Sequence, residues 1–93
     1  MATRILIADD EPLYIRLLQI NLLTEGYEVI TATNGEEALD LVSAHSPDLI
    51  IMDIMMPKVD GITACERIRQ FSTTPVIMLT ARGEEHDRVL GQC

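Results

Sequence analysis

The sequence predicts an α/β fold in which a parallel sheet carries helices on both faces. Three observations lead there. Short apolar runs alternate with segments of helical periodicity along all 93 residues. One run, Leu49-Ile50-Ile51-Met52, is apolar without interruption, as a strand covered on both faces should be. The spacing leaves room for right-handed crossovers between parallel strands.

The first run, Ile5-Leu6-Ile7-Ala8, ends in the acids Asp9-Asp10-Glu11. Pro12 follows where a first helical turn accepts proline, because an N–H there would have no helical partner anyway. Tyr14, Leu17, Leu18 and Leu22 recur at helical spacing on a single face, and Gly26 stops that helix. Glu28 to Ala32 is the second strand. Asn34 and Glu37 form a capping pair, and the helix they open turns Ala38, Leu41 and Val42 inward. Pro47 ends the connection to the third strand. A loop with Pro57 and Gly61 then leads to a helix capped by Asp60, with Ile62, Cys65 and Ile68 on its inner side. Pro75 opens the strand Val76-Ile77-Met78-Leu79, and Glu84 to Leu90 begins a fourth helix. There is no internal repeat, low-complexity tract or linker, so residues 1–93 read as one domain.

Composition narrows the function classes. Apolar residues make up 47% of the chain, enough for a core, yet no apolar run reaches the roughly 18 residues a membrane span needs. A soluble, cytoplasmic protein is expected. The formal charge is −8, from 15 acids against 7 Lys plus Arg, which argues against direct nucleic-acid binding by this segment. Cys65 and Cys93 make no disulfide framework. Cys65 is read as a small buried hydrophobe, and Cys93 as a thiol that could cross-link two chains. His45 and His86 are isolated and read as surface residues.

In parallel α/β sheets, sites form beyond the carboxyl ends of the strands. Here the first run is followed by Asp9-Asp10-Glu11, the third by Asp53 and the fourth by Thr80-Ala81. Taken singly these are ordinary: acids suit a helix N-terminus, and Thr caps helices. Asp53 is harder to dismiss, because a carboxylate between Met52 and Ile54-Met55-Met56 must find a partner. If the first and third strands are neighbours, the carboxylates converge and repel. A hard divalent cation resolves that, and Mg²⁺ takes a few carboxylates while keeping waters that a phosphate can replace.

The stretch Asp53-Ile54-Met55-Met56-Pro57-Lys58-Val59-Asp60-Gly61 fits the pattern D-x-x-M-P-x-x-D-G without a gap. With the acidic pair after the first strand and Thr80-Ala81 after the fourth, the chain resembles a response-regulator receiver domain of two-component signalling, from Arg4 to about Leu90. The resemblance implies a flavodoxin-like (CheY-like) three-layer fold with strand order 2-1-3-4. It implies that Asp53 accepts a phosphoryl group from a sensor histidine kinase or phosphotransfer protein. Asp10 and Asp53 would hold Mg²⁺ directly, Asp9 through water, and Met55 through its main-chain carbonyl. Thr80 would hydrogen-bond the phosphoryl oxygens and move with them. The domain would signal by conformational change and would not be an enzyme beyond its own phosphotransfer and dephosphorylation. The residues after Thr80 are similar to receivers that precede a winged-helix DNA-binding domain of the OmpR type.

The sequence departs from the family at its end. Receivers have a fifth strand and fifth helix, and the strand carries a lysine that pairs with the phosphoryl group; no residue here takes that role. The expectation is a C-terminally incomplete receiver whose cation site survives while phosphorylation and output weaken. The alternative is a receiver-like module that oligomerises without being phosphorylated. An apolar fourth strand left at the sheet edge would recruit another chain, giving a homodimer or strand-exchanged assembly through Val76 to Leu79. A dehalogenase-like phosphohydrolase is disfavoured, because its second Asp would fall at Met55. A nucleotide site is disfavoured because no Gly-rich loop follows the first strand.

Overall fold

A computed structural model of the chain describes residues 2–79 and 89–92. Its elements run β1 (Arg4–Ala8), α1 (Pro12–Thr24), β2 (Glu28–Ala32), α2 (Gly35–His45), β3 (Leu49–Asp53), α3 (Gly61–Ile68), β4 (Val76–Leu79) and β5 (Val89–Gln92). The first four strands are parallel in the order β2-β1-β3-β4, as the sequence predicts.

Alternation along the strands divides the core into two layers. Leu6, Ala8, Ile50, Met52, Val76 and Met78 share one cluster with Ala38 and Val42 of α2 and Ala64, Cys65 and Ile68 of α3. Ile5 and Ile7, of opposite parity, are buried outside that cluster, on the side of α1. No helix among the described residues is long and apolar enough to cross a membrane.

The helix ends follow local chemistry. Glu11 caps α1, its carboxylate accepting from the Leu13 N–H. Asn34 caps α2 by accepting from the Glu37 N–H at 2.8 Å, and the Glu37 carboxylate reaches back to the Thr33 N–H at 2.7 Å. Asp60 caps α3. Gly26, at φ 92, turns the chain out of α1. At the far end of α2, Ser46 takes a left-handed conformation with φ 46, where glycine is the usual occupant.

Several expectations are corrected. Val89 and Leu90 lie in β5, not in a helix, and β5 pairs antiparallel with β4. The edge expected to be open along Val76–Leu79 is therefore covered, which removes the ground for strand exchange through it. On α1 the buried residue is Ile15; Tyr14, Leu18 and Leu22 are half-buried and Leu17 is exposed. On α3, Cys65 and Ile68 face inward with Ala64, but Ile62 is exposed. Leu41 is half-buried beside the buried Ala38 and Val42. Cys65 is buried as expected, but its sulfur is disulfide-bonded and is not a free thiol. His45 is exposed; residues 84–88, His86 and Cys93 lie outside the described residues.

Ser46 gives a direct test. A non-glycine residue in the left-handed region is disfavoured by roughly 1 kcal/mol or more, and its N–H donation to the Val42 carbonyl is a backbone bond that glycine keeps. Ser46→Gly is expected to raise the unfolding free energy, by up to about 1 kcal/mol after the entropy glycine adds to the unfolded chain. Urea melts of the two proteins measure this; a drop in midpoint would contradict it.

Candidate cation and phosphoryl site

Strand register builds the site. In β1 and β3, Ala8 lies opposite Met52, so the next residues, Asp9 and Asp53, emerge side by side at the carboxyl end of the sheet. Asp10 follows on the way into α1. Ligand oxygens of Asp9, Asp10 and Asp53 all lie within 4.8 Å of one another. Asp9 and Asp53 are fully buried and Asp10 is half-buried. The structure thus brings together three of the residues singled out from sequence.

Local backbone holds Asp9 and Asp53 in place. The Asp9 N–H donates to the Ala32 carbonyl at 3.0 Å, tying the end of β1 to β2. The Asp9 carboxylate accepts from the Glu11 N–H at 2.9 Å. The Asp53 carboxylate accepts from the Met55 N–H at 3.3 Å. These are turns formed by an Asp side chain over its own backbone, and they fix the rotamers.

The donor set is three hard carboxylates. Two unit charges at about this separation repel by roughly 3–4 kcal/mol at an effective dielectric of about 20. A small divalent cation converts that repulsion into attraction and takes oxygen ligands, so the residues present fit Mg²⁺. Among the described residues, no sulfur or imidazole joins the three carboxylates, a donor set that suits a hard cation better than a zinc-type ion.

Beyond Asp53 the loop to α3 is tightly set. The Ile54 N–H donates to the Leu79 carbonyl at 3.2 Å, and the Gly61 N–H donates to the Ile54 carbonyl at 2.8 Å. A Cβ at Gly61 would overlap the Asp53 carbonyl. Met56 is buried in the core, whereas Met55 is exposed, its main-chain N–H bonded to Asp53. Lys58 is exposed and takes φ 68. Beside the cluster opens a pocket of about 730 Å³, lined by Asp10, Asp60 and Thr63 and by Ile54, Met55, Met56, Pro57 and Ile62. Thr80 lies outside the described residues.

One contributor was not read from the sequence. Gly35 is buried, and a Cβ there would overlap the Val59 carbonyl at the end of this loop. Its signal was present: a glycine in the first turn of a helix, where no positive φ is required, marks a place with no room for a side chain.

Known proteins resemble this chain along most of its length. The model of the response regulator receiver domain family matches residues 5–91. The alkaline phosphatase synthesis transcriptional regulatory protein PhoP of Bacillus subtilis (strain 168) is 51% identical over 92 residues, which is 98% of this chain and 38% of that protein. The probable transcriptional regulator ycf27 of Porphyra purpurea is 50% identical over 88 residues, 95% of this chain and 36% of the relative. The chain therefore spans little more than a third of these relatives. Among solved structures, the response regulator protein TrrA of Thermotoga maritima, in complex with Mg²⁺–BeF, superposes with a TM-score of 0.81 at 44% identity, covering 87% of this chain and 71% of that one.

The cap of α3 carries a pH signature. The Thr63 N–H, at 2.8 Å, holds the Asp60 carboxyl below its ordinary value of 3.8, with the Thr63 hydroxyl assisting. A carboxyl whose value falls on folding contributes stability above the unfolded value and loses it as pH drops through the folded one. Asp60→Asn keeps the accepting oxygen and removes the titration. Its unfolding free energy is expected to fall less steeply below about pH 4 than that of the wild type, with similar values at neutral pH. Denaturant melts across that range would show parallel curves if the idea is wrong.

Proposed function

The chain belongs to the response-regulator receiver domain family of two-component signalling, and on that premise we propose that Asp53 accepts a phosphoryl group in a Mg²⁺-dependent phosphorelay. The single observation that supports this most is the meeting of Asp9, Asp10 and Asp53 within 4.8 Å at the end of the sheet.

Each residue has a distinct task. An Asp53 carboxylate oxygen attacks phosphorus in line, the bond from phosphorus to the donor nitrogen breaks, and an acyl phosphate forms. Asp10 and Asp53 would hold the cation directly and Asp9 through water, with the Met55 carbonyl as a further ligand. When bound, the cation neutralises charge on the transferring group's oxygens. The Met55 N–H, 3.3 Å from one Asp53 oxygen, orients the carboxylate. Thr80 hydrogen-bonds the phosphoryl oxygens after transfer. The open pocket beside Asp10 and Met55 leaves an approach for the donor, a phosphohistidine on a sensor kinase or phosphotransfer protein. The added charge, about −1.5 to −2 for ordinary phosphoresidues, supplies the force for switching.

Two experiments bear on this reading. Incubation with acetyl phosphate and Mg²⁺ should give a phosphoryl adduct by intact mass in the wild type and none in Asp53→Asn. Equal adduct in both, or none in either, would remove Asp53 as acceptor for this chain. Separately, Mg²⁺ at a hundredfold excess over its dissociation constant should stabilise the wild type by about 2.7 kcal/mol, with no gain in Asp10→Ala. Without cation, Asp10→Ala should unfold no more easily than the wild type, because one repelling charge is gone.

A further inference from the structure

We propose that Gly35, on α2 and outside the acidic cluster, is a positioning residue for the cation site, acting through the loop between β3 and α3. This rests on the reading of the acids as a cation site. Three contacts grip the seven residues 54–60 of this loop. At the start, the Ile54 N–H is bonded to the Leu79 carbonyl of β4. At the end, Gly61 lies so close to β3 that a Cβ there would come within 2.8 Å of the Ile54 Cα as well as overlapping the Asp53 carbonyl. From the side, the first turn of α2 lies on the loop: a Cβ on Gly35 would reach 2.7 Å from the Val59 carbonyl carbon and 2.8 Å from the Val59 Cβ.

The loop has little freedom to absorb a push at Val59. Met56 is anchored in the core, and Val59 itself packs against it. Lys58 already takes a left-handed conformation, at φ 68. On the other side Asp60 is committed to capping α3. Displacement of Val59 therefore passes through Asp60 to Gly61, whose backbone bears on Asp53 and Ile54. Those are the residues that carry the acceptor carboxylate and lead into Met55. Most of the obstructing atoms at Gly35 are backbone, so no rotamer change relieves the overlap. Gly35 has no need of positive φ; its value is the space it leaves.

The test compares Gly35→Ala with Val42→Ala, a core truncation about two turns further along the same helix. Metal-free amide spectra come first. In Gly35→Ala the resonances of Asp53, Ile54, Met55 and Gly61 should move, while those of α1 stay. Mg²⁺ titration follows. Gly35→Ala should weaken the dissociation constant by about tenfold, the lower end for groups that support metal ligands, while Val42→Ala lowers the thermal midpoint and leaves Mg²⁺ affinity within about twofold. Should Gly35→Ala fail to fold, Val59→Gly loosens the same contact from the loop side and should weaken Mg²⁺ in the same direction. Unmoved loop resonances, or Mg²⁺ affinity that follows stability alike in both alanine variants, would overturn the proposal. A wild type indifferent to Mg²⁺ would count against the cation site itself, and the metal-free spectra would still decide whether Gly35 sets the loop.

Discussion

The pairing of β1 with β3 is the constraint on which the rest of this molecule depends. Hydrogen bonds of a parallel ladder set the register of Ala8 against Met52. Because the ladder is backbone, the carboxylates that follow cannot drift apart to relieve their repulsion. Asp9 is further tied to β2 through Ala32, and the residue after Asp53 to β4 through Leu79. Four strands thus cooperate to hold two buried acids together. Such an arrangement opposes folding, and the apolar core beneath it, from Leu6 and Ile50 to Met52 and Met78, supplies the compensating burial.

Much of this was legible because the strands obey simple rules. β3 is covered on both faces, so it reads as an unbroken apolar run, and its end is marked by the only acid in that strand. The cap residues Asn34 and Asp60 were equally plain, since short polar side chains ahead of a helix bond to N–H groups left over at its start. The cluster itself was legible only jointly: Asp9-Asp10 and Asp53 lie far apart in sequence, and what joins them is the inference that β1 and β3 are neighbours. The family pattern from Asp53 to Gly61 carried that inference further than the individual residues could.

What was not legible fails for physical reasons that can be named. Helix α1 is apolar nearly all round, with Leu13, Leu17, Ile20 and Leu23 exposed and Ile15 buried. Periodicity cannot choose a face when both faces are apolar; the angle at which the helix meets β1 and β2 chooses it. Residues 89–92 are too few for periodicity to separate helix from strand. The unpaired edge of β4 settles it, by offering backbone partners to the segment that reaches it. Ile62 lies on the inner side only if α3 is rotated, and the buried Ala64 and the close approach of Gly61 to β3 set that rotation.

The two close glycine contacts show why a charged site of this kind needs a packed support. Three acids on flexible segments would separate until solvent screened them, and a cation would then have to gather them again at an entropic cost. Here that cost is met on folding. Gly61 brings α3 against the carbonyl of Asp53, and Gly35 brings α2 against the far end of the same loop. Neither residue carries a functional group, and neither could be replaced by a larger residue without moving backbone. Preorganisation of the acids therefore depends on the absence of two side chains as much as on the presence of three carboxylates. The same two helices that bury the core cluster also border the loop that follows Asp53.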